Sequence, residues 1–174
     1  MSKYENLELN IRRVSPKDSF ELLNLVKQLK EETNFVVFDD INISVEKEYF
    51  EIESIISSLN NEMFVASINS KIVGFIRISA SSDIHFRHIG EIGIGVLKEY
   101  WNLGIGHLLM ESAMEWSKHN KVIKRLELTV QKRNTKALRI YKEFGFKEEA
   151  IMEKGFFDQN EGFISVILMS KLVN

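Results

Sequence analysis

The chain has 174 residues, 44% of them hydrophobic, enough for one domain that buries roughly two thirds of its unfolded surface. A formal net charge of -2 argues against a dedicated nucleic-acid binder, which carries a strong basic excess. With no cysteine, disulfides, thiolate metal ligands and a thiolate nucleophile are excluded. The first residues lack an apolar signal-peptide core, and no apolar run approaches the ~20 residues of a membrane span, so a cytoplasmic setting without membrane partners is expected.

Residues 7 to 14 alternate loosely through Leu7, Leu9 and Ile11 and read as a first strand. Ser15, Pro16 and Asp18 then start a helix, as cap, first-turn proline and capping-box acid, with Leu22, Val26 and Leu29 as its buried stripe. Residues 31 to 40 read as a loop with exposed Phe35 and Phe38. A second helix places Val45, Tyr49, Ile52, Ile56 and Leu59 on one face and ends at Asn60 and Asn61. Residues 63 to 68 and 71 to 80 form a hairpin over the two-residue turn Asn69-Ser70. Residues 81 to 87 connect to a central strand.

Residues 91 to 109 change period midway. Ile92, Ile94 and Val96 face one way, and Glu91, Gly93 and Gly95 the other, leaving one strand face bulky and one nearly bare. After Tyr100, Gly104 and Gly106 bracket Ile105, and Leu108, Leu109, Ala113 and Trp116 recur at helical spacing to about His119. A strand thus runs through a glycine loop into a helix, where successive backbone N–H groups and the positive helix end suit a phosphate. The tight-turn reading stands beside it. A P-loop fails because His107 and Leu108 follow Gly106, and a dinucleotide fingerprint fails because position 109 is Leu.

A strand over 125 to 130 turns Leu126, Leu128 and Val130 inward. The last helix begins near Asn134, carries Ala137, Tyr141 and Phe144, and stops at a C-cap glycine, Gly145. Residues 147 to 156 and 163 to 170 close the sheet as a hairpin. No repeat, linker or low-complexity tract divides the chain, so residues 1–174 form one α/β domain.

Two segments carry a family resemblance: Trp101-Asn102-Leu103-Gly104-Ile105-Gly106, and Asn134, Ala137, Tyr141, Gly145 and Phe146 in order and at matching spacing. They resemble the [Q/R]-x-x-G-x-[G/A] loop and the N-x-x-A-x-x-x-Y-x-x-x-G-F segment of the GNAT superfamily of acyl-CoA-dependent N-acyltransferases. Trp101 departs from the basic or amide residue common at the loop's first position; it either packs on the sheet edge, the favoured reading, or faces the cofactor. The resemblance implies a mixed, mostly antiparallel central sheet with a V-shaped splay, flanked by about four helices. It also implies acetyl-CoA as co-substrate, with no metal. The pyrophosphate would rest on the backbone of Asn102, Leu103, Gly104, Ile105, Gly106 and His107. The pantetheine arm would lie along Ile94 and Val96 and near Asn134, Ala137 and Tyr141, with the acyl carbonyl bonded by backbone near Val96.

Tyr141 is then the candidate general acid for the departing thiolate, although its spacing alone fits a buried helix face. Glu91 is the candidate base for an alkyl-ammonium of pKa about 10, standing even with a surface acid on a half-exposed strand. His85 and His88 lack further ligands for a metal. Lys132, Arg133, Lys136, Arg139 and Lys142 cluster where the CoA 3′-phosphate could sit. Glu31, Glu32, Asp39, Asp40, Glu46, Glu48, Glu51 and Glu53 crowd the acceptor side; a solvated face is their default reading, and attraction of a cationic acceptor the functional one. The expected reaction is direct attack by the primary amine of a small, cationic acceptor. A protein amino terminus of the ribosomal-protein type, or a non-catalytic acyl-CoA sensor, are the alternatives. The sequence does not give the oligomeric state; a homodimer is an option by analogy alone.

Overall fold

The computed structural model describes residues 8–36 and 43–173; Leu7, Phe38, Asp39 and Asp40 lie outside them. Among the described residues, seven strands and four α-helices follow one another: β1 (Leu9–Arg13), α1 (Ser19–Glu32), α2 (Val45–Ser57), β2 (Glu62–Ile68), β3 (Lys71–Ala80), β4 (Ile89–Val96), α3 (Ile105–His119), β5 (Arg125–Gln131), α4 (Thr135–Glu143), β6 (Lys147–Asp158) and β7 (Gly162–Leu172). The strands form one sheet in the order β1-β2-β3-β4-β5-β7-β6. Every neighbouring pair is antiparallel except β4 and β5.

Local signals place most boundaries. The Asp18 carboxylate takes the Ser15 N–H at 2.7 Å, closing the capping box ahead of α1, while the Arg12 guanidinium grips both its oxygens. Pro16–Asp18 form a 3-10 turn before α1 proper. Asn69 and Ser70 both take positive φ, 48° and 70°, the geometry that lets a two-residue loop follow the twist of β2 and β3. Gly145, at φ 83°, ends the α4 segment as expected.

The helical faces differ from the sequence reading in three places. In α1 the buried positions are Leu22, Leu23, Leu25 and Leu29, with Val26 only half-buried. In α2 the inward stripe is Glu48, Ile52 and Ile55, whereas Val45, Tyr49, Ile56 and Leu59 are exposed. In α3 it is Ile105, Leu109, Met110, Ala113 and Ser117, which leaves Leu108 exposed. A short apolar-rich helix offers several stripes, and the sheet it meets selects one of them.

Both faces of the sheet are covered. A Cβ on Gly95 would lie 2.8 Å from Leu29 of α1, and one on Gly74 would lie 3.4 Å from Leu109 of α3. Odd-numbered residues of β3 and β4 therefore face α1, and even-numbered ones face α3, since Gly74 opposes Val96 and Phe75 opposes Gly95.

Candidate active site

The parallel pair supplies the site. β4 and β5 are in register only at Ile89–Arg125, Gly90–Leu126 and Glu91–Glu127, and beyond that they part while β4 continues to Val96 and β5 to Gln131. Leu97 donates its N–H to the Val73 carbonyl at 3.0 Å, which fixes the alternation of the β3–β4 ladder. Residues 91, 93 and 95 then bond to β3, while the backbone groups of Ile92, Ile94 and Val96 turn toward the gap. Past Glu91, the N–H groups of Ile94 and Val96 find no strand there. The Val96 carbonyl does find a donor, the Trp101 indole N–H at 2.7 Å. Trp101 is thus half-buried at the sheet edge, and it also caps the end of β4.

The end of α1 straps the open mouth of the gap. Glu32 accepts the Lys98 N–H at 2.9 Å beside the end of β4, and the Asn34 carbonyl accepts the Gln131 amide at 2.5 Å at the end of β5. Asn34 also donates to Asp158 at 2.8 Å, and Arg133 pairs with the same carboxylate at 3.1 Å. Backbone N–H groups of Asn160 and Glu161 complete its shell. These bonds, the Asn160 N–H foremost, hold the Asp158 carboxyl down at about 2, well below an ordinary aspartate. Because the folded value lies below the unfolded one, Asp158 contributes stability that is complete above about pH 4 and is lost as pH falls toward 2. Replacing Asp158 by Asn should lower the melting temperature by several degrees at pH 7. That gap should shrink between pH 4 and 2 in a calorimetric pH series; a pH-independent gap would show that the carboxylate charge is not what holds the strap.

The α1-facing side of the gap is polar and partly open. A Cβ on Gly93 would meet nothing within 4 Å, but one on Gly95 would collide with Leu29 and Phe75. The bare face read from the sequence is therefore open at Gly93 and filled at Gly95. Glu91 is exposed beside Gly93 and has no hydrogen bond or ion pair from its side chain among the described residues. Its register partner Glu127 is bonded by the Arg125 Nε at 2.5 Å. Arg125 also grips Glu149, which accepts from Ser170 as well and is held down at about 2, chiefly by Arg125. Arg77, opposite Gly93, pairs with Glu51 at 2.7 Å. Glu48 behind them is buried, and that burial raises its carboxyl above the usual range. The acidic face is accordingly mixed: Arg77 meets Glu51, and Lys98 and Gln28 occupy Glu32.

The glycine loop and α4 come together next to the gap. Asn102 and Gly104 take positive φ, 65° and 77°, and α3 begins at Ile105. Leu103 and Ile105 turn their side chains into the core, so they present backbone. On α4, Asn134 caps the helix by accepting the Ala137 N–H at 3.2 Å. Ile140 lies 3.6 Å from the Cβ position of Gly106, the His107 ring rests 4.7 Å from that of Phe144, and Lys136 donates to Asn102 at 3.1 Å. Tyr141 is 7% exposed, its hydroxyl has no hydrogen-bond partner among the described residues, and desolvation pushes its pKa up to about 12. His85 and His88 are exposed, and among the described residues no three His, Asp or Glu side chains gather as a metal site.

The basic cluster thins out in three dimensions. Arg133 serves Asp158 and Glu161, Arg139 serves Glu143, and Lys142 serves Glu148. Lys132 and Lys136 have no carboxylate partner among the described residues. Sequence reasoning missed Glu127, Arg77 and Lys98: nothing local reveals the parallel register that sets Glu127 beside Glu91, nor the fold that brings Lys98 toward Lys136.

Backbone N–H donors in the gap with no strand partner among the described residues suit the amide and carbonyl oxygens of a pantetheine arm. An open left-handed glycine at a helix start, with lysines close by, suits its phosphates. The residues present fit acetyl-CoA. Residues 23–146 match the family model described as the acetyltransferase (GNAT) family. The chain belongs to the GNAT acetyltransferase family.

Among similar structures of this family is a GNAT acetyltransferase from Streptococcus pneumoniae, 38% identical, with a TM-score of 0.92 over 95% of this chain and 100% of that one. A putative acetyltransferase from Salmonella typhimurium, solved with its cofactor acetyl-CoA, shares the fold at a TM-score of 0.83 over 95% of this chain and 94% of its own, at 15% identity. An L-amino acid N-acetyltransferase of Escherichia coli is 27% identical over 111 residues, 64% of this chain and 68% of its own length. An N-alpha-acetyltransferase of Sulfurisphaera tokodaii is 27% identical over 126 residues, 67% of this chain and 74% of its own. The GNAT resemblance, the mostly antiparallel splayed sheet and its four helices are borne out, and the chain is an acetyl-CoA-dependent acetyltransferase. No helix among the described residues is long and apolar enough to cross a membrane.

Proposed function

We propose that this protein transfers the acetyl group of acetyl-CoA to the primary amine of a small acceptor by direct attack, within one domain. The observation that carries this reading is the gap between β4 and β5, with bare Gly93 and Glu91, unpartnered among the described residues, on one side and the phosphate loop on the other. Acetyl-CoA supplies the acetyl thioester. The chain's own residues hold and orient it: backbone N–H of Ile94 and Val96 toward its carbonyl and amide oxygens, and backbone of residues 102 to 107 toward its phosphates. The Val96 N–H serves as the one-donor oxyanion site.

Glu91 takes a proton from the acceptor ammonium, directly or through a water, so that the amine attacks as the free base. Tyr141 keeps its proton, being pushed up to about 12, and so meets the departing thiolate as a donor at any physiological pH. The acceptor enters over Gly93. Glu91 favours a cationic approach there, and Arg77, opposite Gly93 and paired with Glu51, limits how far the charge runs. The L-amino acid acetyltransferase relative supports a small amine, and the N-alpha-acetyltransferase relative supports a peptide amino terminus as the second reading.

The test is thiol release from acetyl-CoA against a panel of polyamines, amino acids and short peptides. Turnover confined to peptides would replace the first reading by the second, and acetyl-CoA binding with no turnover on any amine would favour a sensor. Replacing Glu91 by Gln should lower kcat/KM by about 10²-fold at pH 7 and less near pH 10, where more of the amine is already neutral. A loss of equal size at both pH values would remove Glu91 from the role of base.

A further inference from the structure

We infer that Trp101 is the seat of a two-lysine phosphate clamp, Lys98 and Lys136, which does for the coenzyme's phosphates what a basic first residue of the loop would otherwise do. The Lys98 ammonium lies 5.9 Å from the Trp101 ring centroid and that of Lys136 lies 5.6 Å from it. Both distances fall within the ~6 Å at which a cation is held by an aromatic face. The two lysines come from different elements, the 3-10 turn after β4 and the first turn of α4, and both reach this ring.

The seat itself is fixed. The indole N–H is committed to the Val96 carbonyl at 2.7 Å, so the ring cannot swing away without orphaning the end of β4. Lys136 is further held by its bond to the Asn102 side chain at 3.1 Å, inside the glycine loop. Lys98 is anchored through its backbone, whose N–H goes to Glu32. Among the described residues neither ammonium has a carboxylate partner. Of the other cations near α4, Arg133, Arg139 and Lys142 are ion-paired, and Lys132 has no carboxylate partner among the described residues.

Two ammonium groups held around one ring, with no carboxylate partner among the described residues, repel one another. An aromatic face offsets that repulsion without neutralising either charge, as an acid would. What completes the group is a dianionic ligand, a diphosphate or a phosphate monoester, beside the backbone donors of residues 102 to 107. Acetyl-CoA offers both chemistries, its diphosphate and its 3′-phosphate. Trp101 therefore keeps the electrostatics of the loop while surrendering the side-chain contact of a basic or amide residue.

Calorimetric titration tests this with acetyl-CoA, 3′-dephospho-CoA and phosphate-free pantetheine at several salt concentrations. Lys98→Met and Lys136→Met should each weaken acetyl-CoA by about tenfold, and their combination should flatten the dependence of log Kd on log salt. Pantetheine affinity should not change. If dephospho-CoA loses the same factor from the double variant, the clamp serves the diphosphate; if it is insensitive, the clamp serves the 3′-phosphate. Trp101→Leu should reproduce the double lysine variant's loss, whereas Trp101→Phe, keeping a ring, should lose less. Acetyl-CoA binding within twofold of the parent in the double lysine variant, with an unchanged salt slope, would overturn the proposal. Failure of the parent to bind acetyl-CoA at all would instead strike the cofactor assignment. Both lysines project from the surface, so their replacement leaves a folded protein, and the melting temperature checks this.

Discussion

Replacing Tyr141 by Phe is expected to lower kcat by about 10²- to 10⁴-fold while leaving the Kd for acetyl-CoA within about twofold. The ring stays in place because the core holds it: Tyr141 is buried, and Phe146 lies 6.1 Å away, centroid to centroid. Only the hydroxyl is removed, and no described residue depends on it, so the melting temperature should move little. The pH profile separates proton donation from packing. A phenol pushed up to about 12 stays protonated through the working range, so the parent enzyme should show no loss of kcat from this group up to about pH 10. If acetyl-CoA binding collapses along with turnover in the variant, Tyr141 is a core residue and the acid lies elsewhere.

The second large effect comes from two glycines two residues apart on the same face of β4. Gly95→Val should destabilise the fold by about 1–3 kcal/mol, because a Cβ there would lie 2.8 Å from Leu29 and 3.0 Å from Phe75. That corresponds to a melting temperature lower by roughly 3–10 °C in a chain of this size. Gly93→Val should leave the melting temperature unchanged or slightly raised, since its Cβ meets nothing within 4 Å and valine suits a strand. Its cost should fall on the acceptor, whose KM rises by at least about tenfold with acetyl-CoA affinity preserved. Stable, fully active Gly93→Val protein would mean that the acceptor does not pass over this residue, and the site would have to be rebuilt around another opening.

How much of this could be read in advance differs by element. The capping box at Ser15 and Asp18, the Asn69-Ser70 turn, the Gly145 stop and the Leu126, Leu128 and Val130 alternation are local devices. Each is governed by residues within a few positions of one another, so the chain alone displays them. The inward faces of α1, α2 and α3 were legible only as apolar periodicity. Which stripe wins depends on the sheet, and Glu48 on the buried face of α2 is a choice that periodicity would never make.

The candidate site divides along the same line. The glycine loop, the α4 segment with Tyr141, and the Glu91–Gly93–Gly95 alternation are written in order along the chain, because each lies within one turn or one strand. The contrast between an open Gly93 and a filled Gly95 is set by Leu29, which arrives from a helix some sixty positions earlier. Glu127 enters beside Glu91 through a parallel register that no hairpin turn encodes. The sequence shows the crowded charges on both sides only as runs of one sign, whereas in the fold Arg133, Arg139, Lys142 and Glu51 find opposite charges and drop out as free groups.

By itself, then, the sequence determined the family, the order of the elements and the residue types available for phosphate binding and proton transfer, since these follow from short-range spacing. Only the tertiary structure decided where the sheet opens, which glycine leaves room, and which lysines reach Trp101 with no carboxylate partner among the described residues. Those are properties of elements distant in sequence and close in space. Their energetics depend on packing and charge pairing, which exist only once the chain has folded.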